Sequence, residues 1–347
     1  MKKRFAVILT ILLAAVSIFG CGGKNSSSSS ETNTSSNTDD SKVYQLHAAY
    51  AVAEDENSQH TIKFNKFKEL VEERTDGKVQ IMMHPSGELG SEKEYVEMLQ
   101  NGEIAFASIA TSWLSGFSPA LAFYDCPFLF KSQDQVVKFT HTDIADARLE
   151  QLKEIGIVGM AATSVGARNF LTIKDKPITS LADMKGLKLR TMSTEMQIEA
   201  VEILGAEATP LAYSECYQSI QTGVIDGMEN EVDTYLAMKF YEVAPNYTKA
   251  NWLQLVHTFV ASKEIMDSLP QEYQDIILKA AREAADYATE KGIEYANTTA
   301  KEALADAKVN VIELDNTEFN EALQKGGFFT KYGELIGKDV LDWIEAN

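Results

Sequence analysis

Gln45-Leu46-His47-Ala48-Ala49 leads into a helical run from Gln59 to Arg74, which Asp76-Gly77 closes before Val79, Ile81 and Met83 alternate as a strand. A second helix from Ser91 stops at Asn101-Gly102, and the apolar run from Ile104 to Ile109 follows. In the first helix Ile62, Phe67, Leu70 and Val71 fall on or near one face. The order is βαβα with strands too apolar to alternate cleanly, which predicts a mixed α/β sheet flanked by helices.

The pattern resumes after a helical stretch around Asp134 to Glu154, with strands expected from Ile157 to Ala162, Asn169 to Ile173, Leu187 to Thr191 and Leu255 to Ala261. Helices from Glu195 to Leu204 and from Ser214 to Gln221 end at Gly205 and Gly223. Ser268, with Gln271 three residues on, has the form of a capping box. It opens a long helix whose apolar positions Tyr273, Ile276, Ile277, Ala280, Ala281 and Ala284 repeat at three and four, long enough to continue past Ala300 and tie two domains together.

The N-terminal end reads as an export signal, residues 1 to 20. Lys2, Lys3 and Arg4 precede the apolar run from Phe5 to Phe19, too short for a membrane span, and Gly20 closes it. Cys21-Gly22-Gly23 then resembles the acylation site of bacterial lipoproteins, with Phe19 departing from the small residue usual at that place. An uncleaved signal anchor and simple secretion are the alternatives. From Asn25 to Thr38 every residue except Glu31 is Ser, Thr or Asn, so nothing there offsets the entropy of ordering. Residues 21 to 42 are therefore expected to be a lipidated cysteine and tether that hold the domain at the extracytoplasmic face of the cell membrane.

Without the three basic residues of the signal, 29 positive and 51 negative side chains leave a net charge of −22, which argues against nucleic acid as a partner. Any cation kept inside a cleft of so acidic a protein is correspondingly informative. Cys126 lies in an apolar segment and reads as a buried thiol; whether it pairs with Cys216 is open. The histidines His47, His60, His84, His141 and His257 are scattered without metal spacing. No zinc-type cysteine pattern, phosphate loop or nucleophile motif is present, so no metal, cofactor or enzymatic activity is expected. An exported hydrolase is the rival reading from another class.

Five segments carry a resemblance: Gly166-Ala167-Arg168-Asn169-Phe170; Leu181 through Arg190; Gly205-Ala206 with Pro210; Tyr213-Ser214-Glu215-Cys216-Tyr217; and Gln221 through Asn230, containing Asp226-Gly227-Met228-Glu229-Asn230. In this order and spacing they resemble the dicarboxylate-type solute receptors of TRAP transporters, the tripartite ion-driven uptake systems. Weaker matches at His60, Asp76-Gly77-Lys78, Gly87-Glu88-Leu89-Gly90, Pro127-Phe128 and Leu269-Pro270 extend it over nearly the whole mature domain.

The resemblance implies a two-lobed periplasmic-binding-protein-like α/β fold, with hinge strands and a long helix spanning both lobes. Lobe 1 would be 43 to 165 plus 256 to 295, and lobe 2 166 to 255 plus 296 to 347. It implies a monomer that captures a small organic acid for integral-membrane transporter subunits, and the paired arginines Arg168 and Arg190 with Trp252 favour a hydroxylated monocarboxylate, such as a hexuronate or an aldonate, over a four-carbon dicarboxylate. An ATP-driven importer or a sensor would be the alternative partner.

The family's carboxylate clamp falls on Arg190, whose planar guanidinium can donate two parallel hydrogen bonds and stays charged. Arg168 matches a second arginine and Asn230 an amide that donates and accepts at once. Asp226 and Glu229 are expected to brace the loop. Tyr213 and Trp252 match aromatic positions against the ligand's carbon skeleton. Glu92, Thr111 and Ser112 fall near contact positions of the first lobe, where a negative Glu92 would suit ligand hydroxyls.

Overall fold

The computed structural model describes residues 42–347. Its strands are β1 (Tyr44–Ala49), β2 (Val79–His84), β3 (Phe106–Ala110), β4 (Ile157–Thr172), β5 (Lys188–Thr191), β6 (Glu207–Pro210), β7 (Gly227–Asn230), β8 (Asn246–Ser262) and β9 (Asn310–Glu313). They form one sheet in the order β2-β1-β3-β8-β4-β7-β5-β6, with β9 beside β8. As the opening βαβα pattern predicts, β1 pairs in parallel with both β2 and β3, with helices Gln59–Arg74 and Glu92–Gln100 in the crossovers.

The long strands β4 and β8 set the architecture. They pair antiparallel from Ile157 opposite Ser262 to Thr172 opposite Asn246, a ribbon roughly 50 Å long at about 3.3 Å per residue. β3 joins β8 at one end of this ribbon, Phe106 opposite Ala261 through Ala110 opposite His257. β7 joins β4 at the other end, Asn169 opposite Asn230 through Thr172 opposite Gly227. The two half-sheets thus hang from opposite ends of one crossing ribbon, which makes the fold two-lobed. The register shift at Ser164/Gly166 falls between them, and the one at Arg168/Phe170 lies where β7 begins to pair with β4. Gly166 has φ 108°, a conformation that side chains disfavour and a bulge can use.

Both ribbon strands are far longer than the short, separate strands expected from the sequence. They are buried on both faces along most of their length, so no period-two pattern marks where they begin and end.

The long helix runs from Gln271 to Asn297 and buries Ile277, Ala280, Ala281, Ala284, Ala285 and Ala288, largely against helix Gln59–Arg74 and β4. It stops at Thr298 (φ −119°, ψ −91°), and a separate helix, Thr299–Asp306, follows, so it does not continue unbroken past Ala300. The expected capping box at Ser268 does not form. Ser268 instead ends the short helix Lys263–Ser268 and donates to the Ile265 carbonyl at 2.7 Å. Pro270 forces Leu269 into an extended conformation and takes the N-cap position itself. At Ser91 a capping box does form, with Glu94 as the reciprocal partner.

On the first helix Ile62 is only partly buried. The buried stripe is His60, Lys63, Phe64, Phe67, Leu70 and Val71, two of them titratable. Cys126 and Cys216 are both buried and free. Cys21 and the tether lie outside the described residues. Among the described residues no helix is long and apolar enough to cross a membrane.

Candidate functional site

The carboxyl ends of β3, β5 and β7 meet beside the middle of the ribbon, the place where α/β sheets hold ligands. Arg190 precedes the last residue of β5, Asn230 ends β7, and Ala110 ends β3. Together with Arg168 of β4, Glu92, Tyr213, Glu231, Thr234, His60 and His257, they line one cavity, closed on its apolar side by Ala51, Val52 and Met192. The cavity is tight. It holds about 380 Å³ of empty space counting its mouth.

Arg190 is 1% exposed, although alternation alone would have put it on a solvated strand face with Lys188, which is exposed. Its Nε donates to the Leu211 carbonyl at 3.0 Å, which turns the fork inward. Nη1 and Nη2 are buried and have no hydrogen-bond partner among the described residues. The guanidinium lies 5.9 Å from the centre of the Tyr213 ring, whose hydroxyl accepts from Asn230 Nδ2 at 3.0 Å.

Arg168 is differently placed. Its Nε donates to the Glu229 carboxylate, its Nη2 donates to the Glu229 carbonyl at 2.5 Å, and Nη1 lies 3.6 Å from Glu231 Oε2. Burial lowers its affinity for the proton, with Arg190 beside it adding to the effect and Glu231 opposing it. Glu229 therefore braces Arg168, and Asp226 braces the start of β5 by accepting from the Lys188 amide at 2.9 Å.

Glu92 Oε1 accepts from the Ala110 amide at 2.8 Å, and burial raises its carboxyl above the usual range, opposed by that amide and then by Arg190 and Arg168. His60, with both ring nitrogens buried and unpartnered among the described residues, is pushed down to about 3 by burial and by Lys63.

A family model for DctP, bacterial extracellular solute-binding protein, family 7, matches residues 49–326. The chain belongs to this family. It is 33% identical over 296 residues to a solute-binding protein of Sulfitobacter sp. (strain NAS-14.1), covering 84% of this chain and 88% of that protein. A TRAP periplasmic solute-binding protein from Sulfitobacter sp. NAS-14.1, solved with β-D-galacturonate, superposes with a TM-score of 0.80 at 28% identity, covering 87% of this chain and 100% of that one. Another from Shewanella oneidensis, solved with succinate, gives a TM-score of 0.81 at 27% identity, covering 88% and 99%. The family is one of extracellular solute receptors, so the reading as a hydrolase falls away.

Of the residues singled out by sequence, the cavity brings together Arg190, Arg168, Asn230, Tyr213 and Glu92, and leaves out Trp252, Thr111 and Ser112. Trp252 is fully buried in the core, its ring centre 5.4 Å from that of Phe170. Ser112 donates to Asp125, and Gln197 Nε2 donates to Ser112 Oγ at 3.1 Å and to Asp125 Oδ1 at 3.3 Å. Thr111 is buried outside the lining.

Sequence reading missed His60 and His257. They are far apart in the chain, yet their rings lie 4.5 Å apart, edge to face. The available signal was that His60 belongs to the buried three-four stripe of its helix.

Ala167 and Asn169, on the other face of β4, border a second cavity of about 1060 Å³ counting its mouth. Its cations, Lys249, paired with Glu313 at 2.7 Å, and Lys301, stand among Glu231, Asp233 and Glu313, so acidic groups outnumber basic ones there and it suits an acid poorly.

Proposed function

We propose that this chain is the extracytoplasmic receptor of a TRAP-type transporter and closes on one sugar acid, a hexuronate or aldonate, whose carboxylate sits on the Arg190 fork. The observation that carries this is the Arg190 pair, Nη1 and Nη2, buried at the cavity without a partner among the described residues. A buried, unpartnered guanidinium is costly unless an anion completes it, and a carboxylate matches its two parallel donors.

The rest of the lining favours hydroxyls over a second carboxylate. Glu92 and Glu231 would repel one, whereas they and Asn230 can accept from sugar hydroxyls. The galacturonate-bound Sulfitobacter receptor supports the same choice, and the succinate-bound Shewanella receptor marks the competing class.

Closure follows from the proposed lobes, 43–165 with 256–295 and 166–255 with 296–347, moving about the bulged middle of the ribbon. The test is thermal: glucuronate, galacturonate, gluconate, malate and succinate are each added to the ligand-stripped protein. A ligand that binds only the folded state adds about 2.7 kcal/mol at a hundredfold excess over Kd, so a sugar acid should raise Tm most. If neutral sugars or cationic amino acids raise it and the acids do not, the reading is wrong. A preference for succinate would overturn the ligand class alone.

The lipid anchor at Cys21 belongs to the same proposal, with integral-membrane transporter subunits as the partner. Cys21→Ser should release the processed protein into the soluble extracytoplasmic fraction, because nothing else replaces the acyl chains. Retention on the membrane after signal cleavage would contradict it. Neighbouring genes for one small and one large membrane subunit would favour TRAP, and an ATPase gene would favour the other importer class.

A further inference from the structure

Lys63 is completely buried on helix Gln59–Arg74 and forms no ion pair among the described residues. Its Nζ donates to Ser108 Oγ at 2.7 Å, lies 3.5 Å from Thr163 Oγ1 and stands 5.4 Å from the Phe259 ring centre. Ser108 Oγ is in turn 3.4 Å from His257 Nδ1.

An ammonium has donors only, so Ser108 Oγ accepts from Lys63; Nδ1 is the acceptor within reach of the hydroxyl proton among the described residues, which favours Ser108 donating to it over Oγ accepting a second bond. Nδ1 then accepts, and the imidazole proton belongs on Nε2. The competing arrangement, Nδ1–H to Glu92 Oε1, spans 3.9 Å, too far for a hydrogen bond. His257 lines the cavity between His60 and Glu92, and no hydrogen bond of its Nε2 is formed among the described residues.

We infer that Lys63, acting through Ser108, positions His257 as an uncharged Nε2–H donor toward the cavity, for a hydroxyl or carbonyl oxygen on the ligand's carbon chain. Glu92 stands beside it as the acceptor. The inference rests on the receptor reading for its ligand. Burial, with His60, Lys63 and Arg168 nearby, keeps His257 from charging, and burial lowers Lys63 to about 7, so near pH 6 Lys63 is an ammonium and His257 is neutral. A neutral donor there selects an oxygen without adding the third cation that would draw in a second carboxylate.

The experiment is ¹⁵N NMR of the histidine side chains at pH 6 on the ligand-free protein, with the His257 signals assigned by their loss in His257→Gln. Expected are a protonated Nε2 and an unprotonated Nδ1. Lys63→Met should erode this preference and weaken binding of the acid that best stabilises the protein by about three- to tenfold, as for one hydrogen bond. Ser108→Thr, which keeps the hydroxyl, should preserve both.

A proton on Nδ1 or on both nitrogens in the parent protein overturns the relay. So does a folded Lys63→Met with unchanged tautomer or with affinity within twofold of the parent. Because the tautomer is read without ligand, the expected spectrum combined with no binding of any sugar acid would support the relay and overturn the receptor reading instead.

Discussion

Replacing Arg190 by alanine is expected to weaken sugar-acid binding by roughly two to four orders of magnitude, because breaking a buried ion pair typically costs about 3–5 kcal/mol. Arg190→Lys should recover only part of the loss, since an ammonium keeps the charge but cannot offer two parallel donors. Lys188→Ala, two residues away on the exposed face, should change affinity little.

The unliganded melting temperature separates this role from a structural one. Among the described residues Arg190 makes one side-chain hydrogen bond, to Leu211, and it stands close enough to Arg168 to disfavour its charge. Removing it should therefore leave the empty protein as stable as before, or more so. Titration calorimetry with melting curves on the same samples would check both, and normal folding with affinity within about threefold of the parent would contradict the clamp.

Trp252→Ala is expected to do the reverse, with a large loss of stability and little change in the affinity of the molecules that fold. Trp252 is fully buried on β8 against Phe170, and its carbonyl accepts from the Phe128 amide at 2.8 Å. Truncating a buried tryptophan to alanine costs about 3–5 kcal/mol, which for a chain of this size lowers Tm by roughly 5–8 °C. Trp252→Phe should lose much less. Thermal unfolding and calorimetry well below the lowered Tm would check this. A variant that melts normally but binds tenfold worse would restore Trp252 to the ligand contacts.

The contrast between Arg190 and Trp252 marks how far the sequence could be read. The helices were legible wherever a local signal bounded them, as from Ser91 to the stop at Asn101-Gly102, where the structure adds a capping box. The capping rule failed at Ser268, where Pro270 imposed its own geometry two residues on. The ribbon strands were not legible as wholes, because burial on both faces erases alternation and the bulges at Gly166 and Arg168 shift its phase.

For the site, the resemblance located Arg190, Arg168, Asn230, Tyr213 and Glu92, all of which the fold brings to one cavity. It could not say that Glu229 occupies Arg168 while Arg190 keeps its fork without a partner among the described residues, since that depends on the register of β4 against β7. Lys63 and His257 were hidden for a related reason. A lysine in an amphipathic helix reads as solvated unless its neighbours at three and four, here Gln59, His60 and Phe67, are counted as one buried stripe.

The most direct test of the central claim is a crystal structure of the chain saturated with whichever acid raises its melting temperature most. One molecule is expected in the cavity between β3, β5 and β7, with its carboxylate bridging Nη1 and Nη2 of Arg190 and its hydroxyls toward Glu92 and His257. A carboxylate seated elsewhere, with the Arg190 fork turned to a protein partner, would contradict it.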